Sequence, residues 1–211
     1  MYSIIPLMNN IKHLQQESLW ERRTPNYLRR IHNPDASAEK FFRSEVNSNH
    51  ERVQKAAAEA LEILAGIKDF WKYLSRLREK KGFENLTKPQ QVYSAVLSYH
   101  AQVVNGGHSQ YFVNSSGDEW KVAHAGLRAV GAPDHLTIFR KALALFGKSG
   151  PAEENDTRHQ QIARFSKTQD EMLSKLDSQY YACEENMDVL LSLFAVKNKS
   201  HFIESEVDFD Q

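Results

Sequence analysis

Cysteine is almost missing from this chain: Cys183 is the one thiol in 211 residues. That excludes an intrachain disulfide and a metal site made of cysteines alone. Glycine and proline are scarce, at 9 and 6 residues, against roughly 12% for the pair in an average chain. So few turn formers argue against a β-sandwich or propeller. No apolar run approaches the ~20 residues of a membrane-spanning helix; the longest near the C-terminus covers residues 190–196. Residues 1–10 lack a basic segment followed by an apolar one, and Pro6 interrupts them. No signal peptide is expected, and the chain reads as cytoplasmic. Gly-x-Ser-x-Gly, His-Glu-x-x-His and the phosphate-binding Gly-x-x-x-x-Gly-Lys-Ser/Thr are all lacking.

Net charge is lacking too, but by cancellation. Residues 1–150 carry 21 Lys/Arg and 14 Asp/Glu, a balance of +7, while residues 151–211 carry 6 and 13, a balance of −7. Direct nucleic-acid binding is therefore not expected, and the acidic quarter points to a basic partner or to a solvated helix face.

What is abundant is helix-forming. Ala and Leu number 19 each, against 26 Val, Ile and Thr together. Apolar residues recur at steps of three and four. Phe70, Leu74 and Leu77 form one stripe, followed by Val92, Val96, Tyr99 and Val103. Trp120, Ala123, Leu127 and Val130 form the next, then Leu136, Phe139, Leu143 and Phe146. Gly82, Gly131 and Gly147 stand where helices stop, and Pro133 where one starts. Thr87 with Gln90 and Ser116 with Glu119 have the spacing of capping boxes. The spacing predicts an all-α protein: a compact multi-helix domain over residues 66–200, a helical N-terminal extension over 1–65 and an acidic tail over 201–211. In the extension, Ile11, Leu14 and Leu19 mark a first helix. A longer one is expected from Ala36 to about Ala65, with a bend or break near residues 47–49. After the Gly150–Pro151 turn a long helix is expected. Its buried seam comprises Leu173, Leu176, Tyr180, Cys183, Met187, Leu190 and Phe194, which makes Cys183 a small core hydrophobe.

One stretch departs from plain helical patterning: residues 105–118, Asn-Gly-Gly-His-Ser-Gln-Tyr-Phe-Val-Asn-Ser-Ser-Gly-Asp. Gly106 is expected to cap a helix at positive φ, and Tyr111 and Phe112 to anchor the segment in the core. Gln110 and Asn114, one turn apart, either cross-link loops or contact a ligand. Asn105, Gly106, Gly107, Gln110, Tyr111, Asn114, Ser115 and Gly117 are thus a candidate ligand site. With Val103, Phe112 and Ser116 they resemble the signature of the bacterial DNA-mimic protein family, from which Gln102 and Val104 depart. Leu176, Asp177, Tyr180 and Tyr181 resemble that family's C-terminal part, and the resemblance spans about residues 67–197. It implies an all-helical fold and no assigned enzyme activity. It also implies surface carboxylates that imitate DNA phosphates and occupy a DNA-binding protein.

The acidic quarter offers carboxylates for that role. Asp170, Asp177 and Glu184 recur every seven residues, which on a continuous helix is about 10.5 Å per step. Asp188 lies one turn beyond Glu184, roughly 6 Å away. The expected function is a non-enzymatic binding protein using Asp170, Asp177, Glu184 and Asp188 against a basic or DNA-binding protein, with a homodimer left open. An immunity- or antitoxin-like inhibitor would use the same face. A helical metal-dependent or small-molecule enzyme is the least favoured reading. His100, His108, His124 and His135 fall near one another in sequence, but none has the spacing of a helical metal pair. No catalytic residue, cofactor or metal is expected.

Overall fold

The computed structural model describes residues 36–67 and 69–203. The first helix expected near Ile11 and the end of the acidic tail lie outside these residues. Among them are nine α-helices, three short 3₁₀ turns and no strand. Two compact units contain them: one is built from residues up to 73 together with those from 195 onward, the other from residues 74–194.

The first unit contains α1 (Ala36–Glu45) and α2 (Glu51–Ala65). The anticipated break between them is real. The Asn47 and Ser48 amides reach back to Ser44 and Glu45, tightening the last turn of α1. His50 is then extended, and the chain re-enters a helix. Ala57, Ala58, Ala60 and Leu61 form the buried face of α2. In the same unit Phe70 meets Phe202 edge-on, with ring centroids 5.0 Å apart.

The second unit is organised on α4 (Lys88–Val113), the longest helix among the described residues. The end of α3 (Phe70–Lys81) and the turn Phe83–Asn85 precede it. Gln90 accepts from the Thr87 amide at 2.9 Å, in the capping box the sequence predicts. Then come the turn Ser115–Glu119, α5 (Trp120–Val130) and α6 (Pro133–Ala144). Val96, Tyr99, Val103, Tyr111, Phe112, Ala123, Leu127 and Phe139 are all buried. The predicted stripes of α4, α5 and α6 therefore meet one another. Gly126 lets α5 approach α4 closely, because a Cβ there would lie 2.6 Å from Cγ2 of Val96.

Three expectations need correction. Ser116 and Glu119 make no capping box. They fall in a 3₁₀ turn, and Glu119 instead accepts from Arg78 at 2.5 Å. Gly106 does not take positive φ; its φ is −162°, and Gly107 next to it has φ +75°. The long C-terminal helix is three helices: α7 (Asn155–Ala163), α8 (Lys167–Tyr181) and α9 (Met187–Lys197). Side-chain caps make both breaks without any glycine or proline. Ser166 and Gln169 form a capping box that starts α8. The Asn186 carbonyl oxygen Oδ1 accepts from the Val189 amide and starts α9. Of the expected seam, Leu173, Leu176, Tyr180 and Met187 are buried. Cys183 lies in the turn after α8 and is only partly covered.

The packing of α5 on α4 generates a prediction. In an open helix Gly→Ala gains about 1 kcal/mol from propensity. Gly126→Ala should instead lower stability, because its methyl displaces Val96. Denaturant titration of the two proteins checks the sign.

Candidate functional site

The glycine pair of residues 105–118 kinks α4 and restarts it, so Asn105–Gly106 does not end the helix as expected. His108 begins the second segment. Its backbone N–H donates to Oδ1 of Asp177 at 2.8 Å, and its Nδ1 lies 2.5 Å from the same oxygen. The exposed N–H groups of a helix start attract an anion, and Asp177 supplies it from α8. A Cβ at Gly107 would lie 2.8 Å from the Asp177 carboxyl carbon. Gly107 is thus required twice, by its positive φ with ψ −178°, which residues bearing a Cβ avoid, and by the approach of Asp177. On the far side of the ring, His108 Nε2 meets the Tyr99 hydroxyl at 3.0 Å.

Asp, His and Tyr in a hydrogen-bonded row resemble a proton relay. Here the row leads inward: the His108 and Tyr99 side chains are fully buried. Burial pushes the Tyr99 hydroxyl well above its ordinary pKa, with Tyr180 and Tyr111 adding to the effect. Burial also pushes the Asp177 carboxyl up, but the ring and backbone bonds from His108 outweigh it and hold Asp177 below the usual range. The row serves as a tether between α4 and α8.

The far end of the motif is tied down by Arg158 of α7, which is fully buried. Its guanidinium donates to the carbonyls of Phe112, Asn114, Ala152 and Glu153 and to Oδ1 of Asp118, at 2.5–3.0 Å. Five N–H donors meet five acceptors, which is what a buried guanidinium needs. Gly117 makes room, since a Cβ there would lie 2.8 Å from Nε of Arg158. Nothing in the sequence distinguishes Arg158 from a surface arginine.

Between these anchors lie the candidate ligand residues. Gln110 and Asn114 do come together, both donating to Oε1 of Gln102, at 2.8 and 2.7 Å. Their amides are thus joined to the first segment of α4. Tyr111 and Phe112 are buried as expected. The Tyr111 hydroxyl has no hydrogen-bond partner among the described residues. Asn105, Gly106 and Ser115 are exposed, and Gly107 and Gly117 are buried.

The four acidic candidates separate. Asp170 on α8, Glu184 in the turn after it and Asp188 on α9 are exposed. Asp177 turns inward to His108. With the helix broken at residues 182–186, the seven-residue step ends at Asp177. Asp188 also lies 3.9 Å from His100, whose other ring nitrogen pairs with the Tyr180 hydroxyl at 2.7 Å. The turn holds another cluster. Glu185 accepts from the Asp134 and His135 amides at the start of α6, at 2.9 and 3.0 Å, and from His135 Nδ1 at 2.8 Å. Cys183 Sγ lies 3.5 Å from that same nitrogen. This grouping was invisible in sequence, because His135 and Cys183 are 48 residues apart.

Residues 84–198 match a family model described as DMP19-like protein. The match begins just before α4 and ends after α9, so α3 precedes it, whereas the resemblance was expected from about residue 67. No curated protein and no solved structure matches the chain.

Two predictions follow the kink. Gly107→Ala should cost roughly 1–3 kcal/mol for its positive-φ, extended-ψ backbone, a region essentially confined to glycine, plus the displacement of Asp177. Gly106→Ala should cost less, since its φ is negative and the nearest atom to its Cβ is the end of the Gln110 side chain; paired melting curves compare them. The second prediction concerns acid. Because Asp177 has a lower pKa folded than unfolded, its stabilisation is complete above the unfolded value near ~3.9. It is lost as pH falls through the lower folded value. Asp177→Asn should reduce stability at neutral pH by about 1.5–3 kcal/mol and flatten the loss below pH ~4, read by denaturant titration across pH.

Proposed function

Because the chain belongs to the DMP19-like family, we propose that it is a non-enzymatic DNA-mimic protein that occupies the basic surface of a DNA-binding protein. Family membership carries this reading. The exposed carboxylates of Asp170, Glu184 and Asp188 support it, as does the −7 balance of residues 151–211. Each would stand in for a phosphate towards lysine and arginine. The inward-facing Asp177–His108–Tyr99 row favours binding over catalysis, since no substrate reaches its buried end. A cytoplasmic bacterial setting accords with such a partner. Among the described residues, no helix is long and apolar enough to cross a membrane.

Exposed ion pairs contribute about 0.2–1 kcal/mol each, so several must act together and salt should weaken them. With the full chain as bait, a captured DNA-binding protein should be released by duplex DNA and by rising salt. Asp170→Lys, Glu184→Lys and Asp188→Lys combined should abolish capture while leaving helicity intact. Asp177 is excluded from the set because its loss disturbs the kink. Capture that survives the triple reversal, or that neither salt nor DNA affects, refutes the carboxylate face. A captured basic protein insensitive to DNA would identify an immunity-like inhibitor instead.

A further inference from the structure

We infer that His135, Cys183 and Glu185 form a binding site for one divalent transition-metal ion of the zinc class. The three side chains each offer one donor atom, and those atoms lie within 4.8 Å of one another. The separations are 2.8 Å from His135 Nδ1 to Glu185 Oε2, 3.5 Å from Nδ1 to Cys183 Sγ, and 4.0 Å from Sγ to Oε2. A tetrahedral zinc centre has bonds of about 2.3 Å to sulfur and about 2.0–2.2 Å to nitrogen and oxygen. Those bonds imply edges near ~3.5 Å to sulfur and ~3.3 Å between nitrogen and oxygen. The N–S edge already fits, and the other two fit after shifts of about half an ångström.

The donors are held for the task. Glu185 is oriented by the two amides at the start of α6, and both bonds survive when a metal replaces the Nδ1–Oε2 contact. Carboxylates so fixed by a second layer of hydrogen bonds make better ligands. His135 is 2% exposed and packs edge-on against Tyr180, with ring centroids 4.5 Å apart. Cys183 and Glu185 keep partial contact with solvent. Thiolate with imidazole selects zinc-like ions over magnesium or calcium. On binding, the Sγ–H and Nδ1–H bonds break and the Sγ–metal and Nδ1–metal bonds form; the thiol proton leaves to solvent and the neutral His135 ring carries its proton on Nε2 instead. Three protein ligands leave a fourth position for water. The ion would clamp the turn between α8 and α9 onto the start of α6. The site is independent of the proposed carboxylate face, and either can fail without the other.

Zinc(II) alone, titrated into the reduced, metal-free full chain against a chromogenic chelator, tests the site. One equivalent should bind and raise the melting temperature. Cobalt(II) should give a thiolate-to-metal charge-transfer band together with the visible bands of a tetrahedral ion. Cys183→Ser, which removes only a partly exposed sulfur, should abolish the charge-transfer band and weaken zinc at least tenfold. Glu185→Gln, which keeps an acceptor for α6, should also weaken it. Unchanged circular dichroism in the variants confirms that they fold. No stoichiometric zinc in the wild type, equal affinity in Cys183→Ser, or cobalt bound without the charge-transfer band each overturns the assignment.

Discussion

The carboxylate of Asp177 on the restart of α4 is the contact that the second unit depends on. A helix that kinks at two glycines exposes fresh N–H groups in the middle of a core, where water cannot reach them. Asp177 accepts from the first of these and from the His108 ring, and the ring in turn meets Tyr99. Without the kink, Tyr111 and Phe112 would leave the helix in a different direction from the one that buries them against Phe139. The glycine at position 107 is the geometric condition for all of this.

The other end of the same segment shows the complementary solution. Carbonyls at the end of α4 lack intrahelical partners, and the Arg158 guanidinium satisfies two of them along with two from residues 152 and 153. An anion at the helix start and a cation at its end match the helix dipole. Here both come from distant parts of the C-terminal quarter. The acidic excess of that quarter is therefore not all surface charge. Asp177 and Glu185 are both spent on helix starts, on α4 and α6 respectively, while Asp170, Glu184 and Asp188 remain outward. The same physics that makes carboxylates suitable for imitating phosphate makes them suitable as caps, and sequence spacing does not separate the two uses.

Much of the site was nonetheless visible in advance. The 105–118 stretch stands out because its glycines depart from plain helical patterning, and its two adjacent aromatics, Tyr111 and Phe112, are buried as core anchors. Gln110 and Asn114 were expected to share a face, and they do, through Gln102. Gly106 and Gly107 could not be told apart, because either can leave the helix and only the position of Asp177 selects one. Cys183 leaves the expected seam because the helix ends at Tyr181 and restarts after Asn186, whose side chain caps a helix without the usual glycine or proline signal.

Helical class, the stripes of α4, α5 and α6, the start at Pro133 and the capping box at Thr87 were determined by the sequence alone. They rest on contacts between residues three or four apart, which local spacing records. Pairings of His108 with Asp177, of Arg158 with Phe112 and Asn114, and of His135 with Cys183 and Glu185 were decided only in the tertiary structure. Each joins residues more than forty positions apart, and a charged side chain carries no local mark of whether it meets water or a buried amide. That choice depends on which backbone groups the packed helices leave without partners.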